Sequence, residues 1–255
     1  MSASVIYSKN MAYARTSGKL FEPGKPFTLS RSKLELFINC PRCFYLDRRL
    51  GVPQVSGFPF TLNNAVDALL KKEFDTHRAM GTIHPLAKAY GVTARPFAHA
   101  KIDVWRDTRR GISYFHEPTQ VTIFGAVDDV WVNDAGELII VDYKATSTSV
   151  PLTLDADYRQ GYKRQVEIYQ WLFRKNGFPV SPMSYFVYVN GKKDRAAFGG
   201  KLEFDVELLP YVGDDGWVED AILKAHRCLL SDTLPRPSKT CEWCAYRAQA
   251  SLYEI

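Results

Sequence analysis

Nine residues, "LIIVDYKAT" at 138–146, constrain this chain more than any other stretch. A strand turns successive side chains to opposite faces, so Leu138, Ile139, Ile140 and Val141 read as a strand that is apolar, and therefore buried, on both sides. Asp142 and Lys144 continue the same strand two positions apart and share a face, while Tyr143 points to the other. Charges persist in such a place only where they are paired or have a task. Upstream, "AVDDVWV" reads as a second strand and "NDAG" as the turn between them. A tight hairpin of this kind carries Asp128 alongside Asp142. Two carboxylates and the Tyr143 backbone carbonyl make the oxygen donor set that Mg²⁺ or Mn²⁺ prefers. A lysine beside them suits the orientation of an attacking water and the charge of an attacked phosphate. On a solvated strand the same Asp-x-Lys pair is an ordinary ion pair, and the "LIIV" run argues against that setting.

The elements around the hairpin are legible in outline. "SRSKLELFINC" is a short helix capped by Ser30 or Ser32, and Pro41 suits the first turn of a second helix that ends by Gly51. Residues 51–60 form a loop. "TLNNAVDALLKKEFDTH" carries a helical stripe of Leu62, Val66, Leu69, Leu70 and Phe74. Strand candidates lie around 97–106 and 112–124. After the hairpin, "ADYRQGYKRQVEIYQWLFRKNG" is an amphipathic helix closed by Gly177. "MSYFVYVNGKKD" is a strand entering an Asn-Gly turn, with "KLEFDVELL" as its antiparallel partner. "DGWVEDAILKAHRCLLSD" is the last long helix. This order predicts an α/β fold, a mixed sheet flanked by helices. With 255 residues, one elaborated domain over 29–255 is expected, preceded by a loosely ordered lead-in at 1–28.

Four of the five cysteines form two CxxC pairs, Cys40/Cys43 and Cys241/Cys244, near opposite ends of the chain. Cys228 stands alone and reads as a helix-core thiol. No apolar leader precedes a small-residue cleavage site, and no stretch approaches the ~20 apolar residues of a membrane span. A cytoplasmic setting without a membrane partner is expected, and there paired CxxC motifs point to metal more than to disulfides. Four thiolates suit a [4Fe–4S] cluster or structural Zn²⁺, and spacing does not separate the two. The net charge of +5, from 33 basic and 28 acidic residues, permits a polyanionic partner without requiring one.

Taken in order along the chain, these segments resemble the RecB-type branch of the PD-(D/E)xK nucleases, which includes CRISPR-associated exonucleases and the nuclease domains of RecB and AddB. "GAVDDV" resembles that branch's G-x-x-D motif and "IIVDYKAT" its strand ending in D-x-K. "QVEIY" resembles the Q-x-x-x-Y helix motif, "LSRSKLELFINCPRCFYL" the N-terminal S-x-S-x-L-x-x-F-x-x-C-P segment, and "CEWCAY" the C-terminal cysteine motif. The resemblance implies a restriction-endonuclease-like fold and a Mg²⁺- or Mn²⁺-dependent DNase, an exonuclease acting on single strands or free ends. Asp128, Asp142 and Lys144 become the catalytic set, and Gln165 and Tyr169, four apart on one helix face, position the scissile strand. For Tyr169 an ordinary core aromatic is the competing reading. The resemblance favours [4Fe–4S] at Cys40, Cys43, Cys241 and Cys244. It also implies a bacterial, archaeal or phage-encoded protein of DNA repair or CRISPR adaptation. A helicase or recombination partner would be a separate chain, since no GxxxxGK[ST] motif is present.

Two departures from the pattern bear on the site. Where the branch has a metal-ligating histidine, the segment "NNAVDALL" offers Asp67, a harder ligand to which the metal role is carried. Where it has a fourth cluster cysteine near the C-terminus, Ala250 stands, so Cys43 is expected to complete a two-plus-two set. A non-catalytic nucleic-acid-binding or scaffold module of the same fold is the alternative function.

Overall fold

The computed structural model describes residues 20–55, 57, 60–156 and 159–253. The chain enters through strand β1 (Phe27–Ser30) and passes directly into helix α1 (Arg31–Asn39), whose first turn is capped by the Ser30 hydroxyl accepting from the Lys33 N–H. Helix α2 (Pro41–Arg48) follows after the single residue Cys40, with Pro41 in its first turn. An ion pair between Lys33 and the buried Asp47 joins α1 to α2. Phe21 and Phe27 belong to the core, so the packed unit takes in residues assigned above to a lead-in; the remainder of that lead-in, 1–19, lies outside the described residues.

Helix α3 (Thr61–Met80) is the longest and ends at Gly81, whose φ of +66° suits a residue without a side chain. Its buried line is Leu70, Phe74 and Arg78, with Val66 packed beside it, whereas Leu62 and Leu69 are exposed. The expected stripe was too wide. Val66, Leu70, Phe74 and Arg78, spaced by four, settle on the sheet, whereas Leu69, one position before Leu70, and Leu62, in the first turn, face solvent. After the short α4 (Pro85–Ala89) and the two-residue β2 (Arg95–Pro96) comes α5 (Ile102–Arg106). A strand over 97–106 is therefore corrected to a turn of helix. Asp103 sits in its first turn, and Ile102 and Trp105, three apart, are buried on one side.

The strand expected over 112–124 is two, β3 (Ile112–His116) and β4 (Val121–Gly125), paired antiparallel. β1 adds parallel to β4, giving a three-stranded sheet in the order β1-β4-β3. Residues 126–128 then carry the chain into a second sheet as β5 (Asp129–Val132) and β6 (Leu138–Thr146), the anticipated hairpin. Helix α6 (Gln160–Lys175) crosses over to β7 (Met183–Gly191), which runs parallel to β6, and β8 (Phe204–Val212) returns antiparallel. The second sheet is β2-β5-β6-β7-β8, mixed as expected. Asn190 and Gly191 do not turn: they pair with Asp205 and Phe204 inside the ladder, and residues 192–203 make the connection. Helix α7 (Val218–Leu230) and a short α8 (Glu242–Ala250) complete the chain.

Alternation along β6 divides the core. Leu138 and Ile140 face a cluster built with α6 and α7, including Val166, Ile168, Leu172 and Ile222. Ile139, Val141 and Tyr143 face α3, where Phe74 stacks on Trp131 and Tyr143. Both faces are covered, as the "LIIV" run requires. No helix among the described residues is long and apolar enough to cross a membrane.

Candidate active site and cysteine cluster

In the hairpin register Asp129 lies opposite Val141, so Asp128, at the bend before β5, falls beside Asp142. The Tyr143 N–H donates to Asp128 Oδ2 at 2.9 Å. Asp142 is fully buried; its Oδ2 is taken by the Lys144 ammonium, while its Oδ1 has no partner among the described residues. A buried carboxylate left so under-satisfied is costly unless a cation completes it, and this donor set fits a divalent ion. Burial, and then the nearby charge of Asp142, lift the Asp128 carboxyl to about 6. For Lys144, burial alone would depress the ammonium, but the carboxylates of Asp142 and Asp128 outweigh it and hold the group above the usual lysine value. Lys144 Nζ lies 3.5 Å from Gln165 Oε1 and 4.6 Å from the centroid of the Tyr162 ring.

Asp129, adjacent to Asp128, is the centre of a buried polar layer behind the hairpin. Its carboxylate accepts from Arg78, from Arg106 at 2.9 Å, from the Val130 N–H at 2.8 Å and from the Tyr143 hydroxyl at 2.8 Å. Arg106 also reaches Asp75 at 2.8 and 2.9 Å and donates to the Asp128 carbonyl at 3.0 Å. Two arginines and two aspartates balance in charge, and together they lock the backbone at Asp128. In sequence the Asp-Asp pair gives no sign of this division, because the arginines arrive from α3 and α5.

Asp67 comes to the same cleft from α3. With Asn63, Tyr162, Asp128, Tyr143 and Lys144 it lines a cavity of about 450 Å³. Lys71, one turn on, lies 2.8 Å from Asp67 Oδ2 and 3.9 Å from Asp128 Oδ1. Sequence reasoning passed over Lys71, although its spacing of four from Asp67 was the available signal. Asn63 anchors the helix start by donating to the Ala145 carbonyl at 3.2 Å.

Helix α6 presents Gln165 and Tyr169 to the hairpin, with Gln165 Nε2 3.4 Å from the Tyr169 hydroxyl. Arg164, the next residue back, forks onto Glu35 at 2.6 and 3.0 Å and ties α6 to α1. Tyr169 is buried, which raises its phenol above the usual value, and it packs on Gly125. A Cβ at Gly125 would stand 2.6 Å from the tyrosine ring. The glycine of "GAVD" and the tyrosine of "QVEIY" are thus two halves of one contact.

The profile of the PD-(D/E)XK nuclease superfamily matches residues 28–249, nearly the whole of the described chain. The chain is a member of the PD-(D/E)XK nuclease superfamily. The hairpin brings Asp128, Asp142 and Lys144 of this chain together. Among solved structures, the crystal structure of SSO0001 aligns over 87% of this chain and 84% of its own at 19% identity, with a TM-score of 0.42. A search of curated proteins returned no match.

The second cluster of this PD-(D/E)XK chain joins its ends. Cys40 lies between α1 and α2, Cys43 in α2, Cys241 at the cap of α8 and Cys244 within it. Their four Sγ atoms lie within 4.8 Å of one another, with Cys43 at 3.5 Å from both Cys241 and Cys244, and Cys40 at 3.8 Å from Cys244. Cys43 does complete a two-plus-two set, and Cys228 stands apart, its thiol 3.9 Å from the Pro41 carbonyl. Although burial raises the Cys40 thiol, backbone N–H groups of Ser238 and Cys43 outweigh it and bring the group down to about 7. A thiol so held gives up its proton readily to a metal.

Proposed function

We propose that this chain is a metal-dependent deoxyribonuclease of the RecB-type branch, acting on single strands or free ends. The observation that carries this reading is Asp142, a fully buried carboxylate with Oδ2 on Lys144 and Oδ1 without a partner among the described residues, beside Asp128 in the hairpin. Asp128 and Asp142, with Asp67 and the Tyr143 carbonyl at hand, would hold Mg²⁺ or Mn²⁺. Such an ion supplies Lewis acidity and lowers the pKa of a bound water. Lys144, kept cationic by its two carboxylates, faces the charge that develops on the attacked phosphate. Its contact with Gln165 links it to α6, so Gln165 sets where the strand lies relative to the lysine, and the buried Tyr169 holds Gln165 in place. The Asp129 layer keeps Asp128 from relaxing toward the core.

The cysteine site serves stability. Four thiolates about 2.3 Å from one tetrahedral Zn²⁺ stand roughly 3.8 Å apart, close to the three shortest sulfur pairs at 3.5–3.8 Å, within a set that spans up to 4.8 Å. In a [4Fe–4S] cubane each thiolate binds a different iron, which requires wider spacing. Zinc is therefore the reading that the sulfur distances favour, against the iron–sulfur group expected from the motif.

The test is cleavage of end-labelled linear and circular single-stranded DNA with Mg²⁺ or Mn²⁺ and with EDTA. Degradation of the linear strand alone, abolished by EDTA and by Asp142→Asn, is expected. Full activity in highly purified Asp142→Asn would remove the site assignment. Binding of DNA without cleavage in either metal would leave the scaffold alternative.

A further inference from the structure

The charges in the cleft can be counted. Among the described residues in ionic contact there, Asp67, Asp128 and Asp142 contribute three negative charges, and Lys71 and Lys144 two positive ones, leaving one negative charge. The layer behind, Asp75 and Asp129 with Arg78 and Arg106, sums to zero and lends nothing. One divalent ion and one phosphodiester bring the cleft to neutrality. A second divalent ion would leave two uncompensated positive charges in a partly buried site, where such an excess is expensive.

The position of Lys71 gives this count a structural form. Its side chain is about three-quarters buried, held by Asp67 on the same helix face, and its ammonium approaches Asp128 Oδ1. The other oxygen of Asp128 is taken by the Tyr143 N–H. Lys71 therefore occupies the α3 side of Asp128, where a second cation shared by Asp67 and Asp128 would have to bind. An aspartate at position 67 in place of an imidazole adds a negative charge, and the lysine one turn on cancels it.

We propose that the Lys71 ammonium stands in for a second divalent cation, so that the cleft takes one ion per chain and Asp67 serves chiefly to hold Lys71. This rests on the reading of Asp128 and Asp142 as metal ligands.

Calorimetric titration of the full chain with Mn²⁺, its cysteine site already loaded, tests it without reference to cleavage. The wild type is expected to bind one Mn²⁺. Lys71→Met is expected to bind its first Mn²⁺ at least about fivefold more tightly, the effect of removing a unit charge ~4 Å from a ligand even at the dielectric of water, and to take up a second. Two ions or none in the wild type, or a folded Lys71→Met with unchanged count and affinity, would overturn the proposal. Should Lys71→Met fail to fold, Lys71→Gln carries the same comparison, and the wild-type count stands by itself. Asp142→Asn separates the two readings: if it binds Mn²⁺ as the wild type does, the ion is not at the hairpin and the proposed active site fails.

Discussion

Gly125→Ala is the smallest change that should disturb the active site without touching a charged group. The added methyl would stand 2.6 Å from Tyr169 Cε1 and 3.3 Å from both Tyr169 Cδ1 and Arg31 Cβ. Carbon atoms rest at about 3.5–4.0 Å, so the ring must withdraw by roughly 1 Å. It has little room, because Tyr169 is only 3% exposed and packs within the main core. Overpacking of this kind costs about 1–3 kcal/mol. In a chain of this size each kcal/mol lowers Tm by roughly 2–4 °C. Displacing the ring also shifts its hydroxyl from Gln165, and through Gln165 the contact with Lys144. Cleavage should therefore fall further than stability alone explains. The assay is urea unfolding of Gly125→Ala, Tyr169→Leu and the double variant. If the clash is the cause, removing the ring makes the alanine nearly free, with a coupling of about 1–2 kcal/mol. An equal cost in both backgrounds, or no cost in either, would refute the packing argument.

Asp129→Asn should cost about 3–5 kcal/mol in thermal unfolding, because Arg78 and Arg106, both buried, are then left with only Asp75 to balance them; a loss below 1 kcal/mol would contradict its central place in the layer. Burial and Asp142 raise the Asp128 pKa to about 6 from its ordinary 3.8, so ionising Asp128 in the metal-free fold costs stability as pH rises from about 4 through 6. A bound divalent ion removes that penalty, so the Tm increase produced by Mg²⁺ should be small at pH 5 and larger at pH 8, and a flat difference would count against it. Cys43→Ser should lose the metal of the cysteine site, measured by elemental analysis, and much of the stability that metal binding supplies. Cys228→Ser should keep both, and the reverse result would exchange their roles.

What the sequence made legible follows from where the physics is local. Asp142 and Lys144 on one strand face, Asp128 brought alongside by the hairpin, and Gln165 with Tyr169 one turn apart all follow from periods of 2 and 3.6 residues. So does the pairing of CxxC motifs, once four thiolates are assumed to want one metal. Contacts between distant elements were not legible. Nothing near Asp129 announces Arg78 and Arg106, which come from 51 and 23 residues away. The split into two sheets escaped notice because 126–128, which carry the chain from one to the other, read as part of a continuous strand. Asn190-Gly191 misled because pairing with β8 overrides the turn preference of an isolated dipeptide.

The cysteine site also sets a schedule. Cys43 and Cys241 are 198 residues apart, so at 5–20 residues per second about 10–40 s of synthesis separates the first CxxC pair from the second. Throughout that interval a nascent chain has only half of its ligands, and α1, which meets α6 through Glu35 and Arg164, has no tether to the chain's far end. A product that stops short of Cys244 cannot close the site at all, and forgoes the free energy that metal binding would add to folding. With the site loaded as proposed, metal binding would act as a check on chain length, passed only by molecules that carry both cysteine pairs.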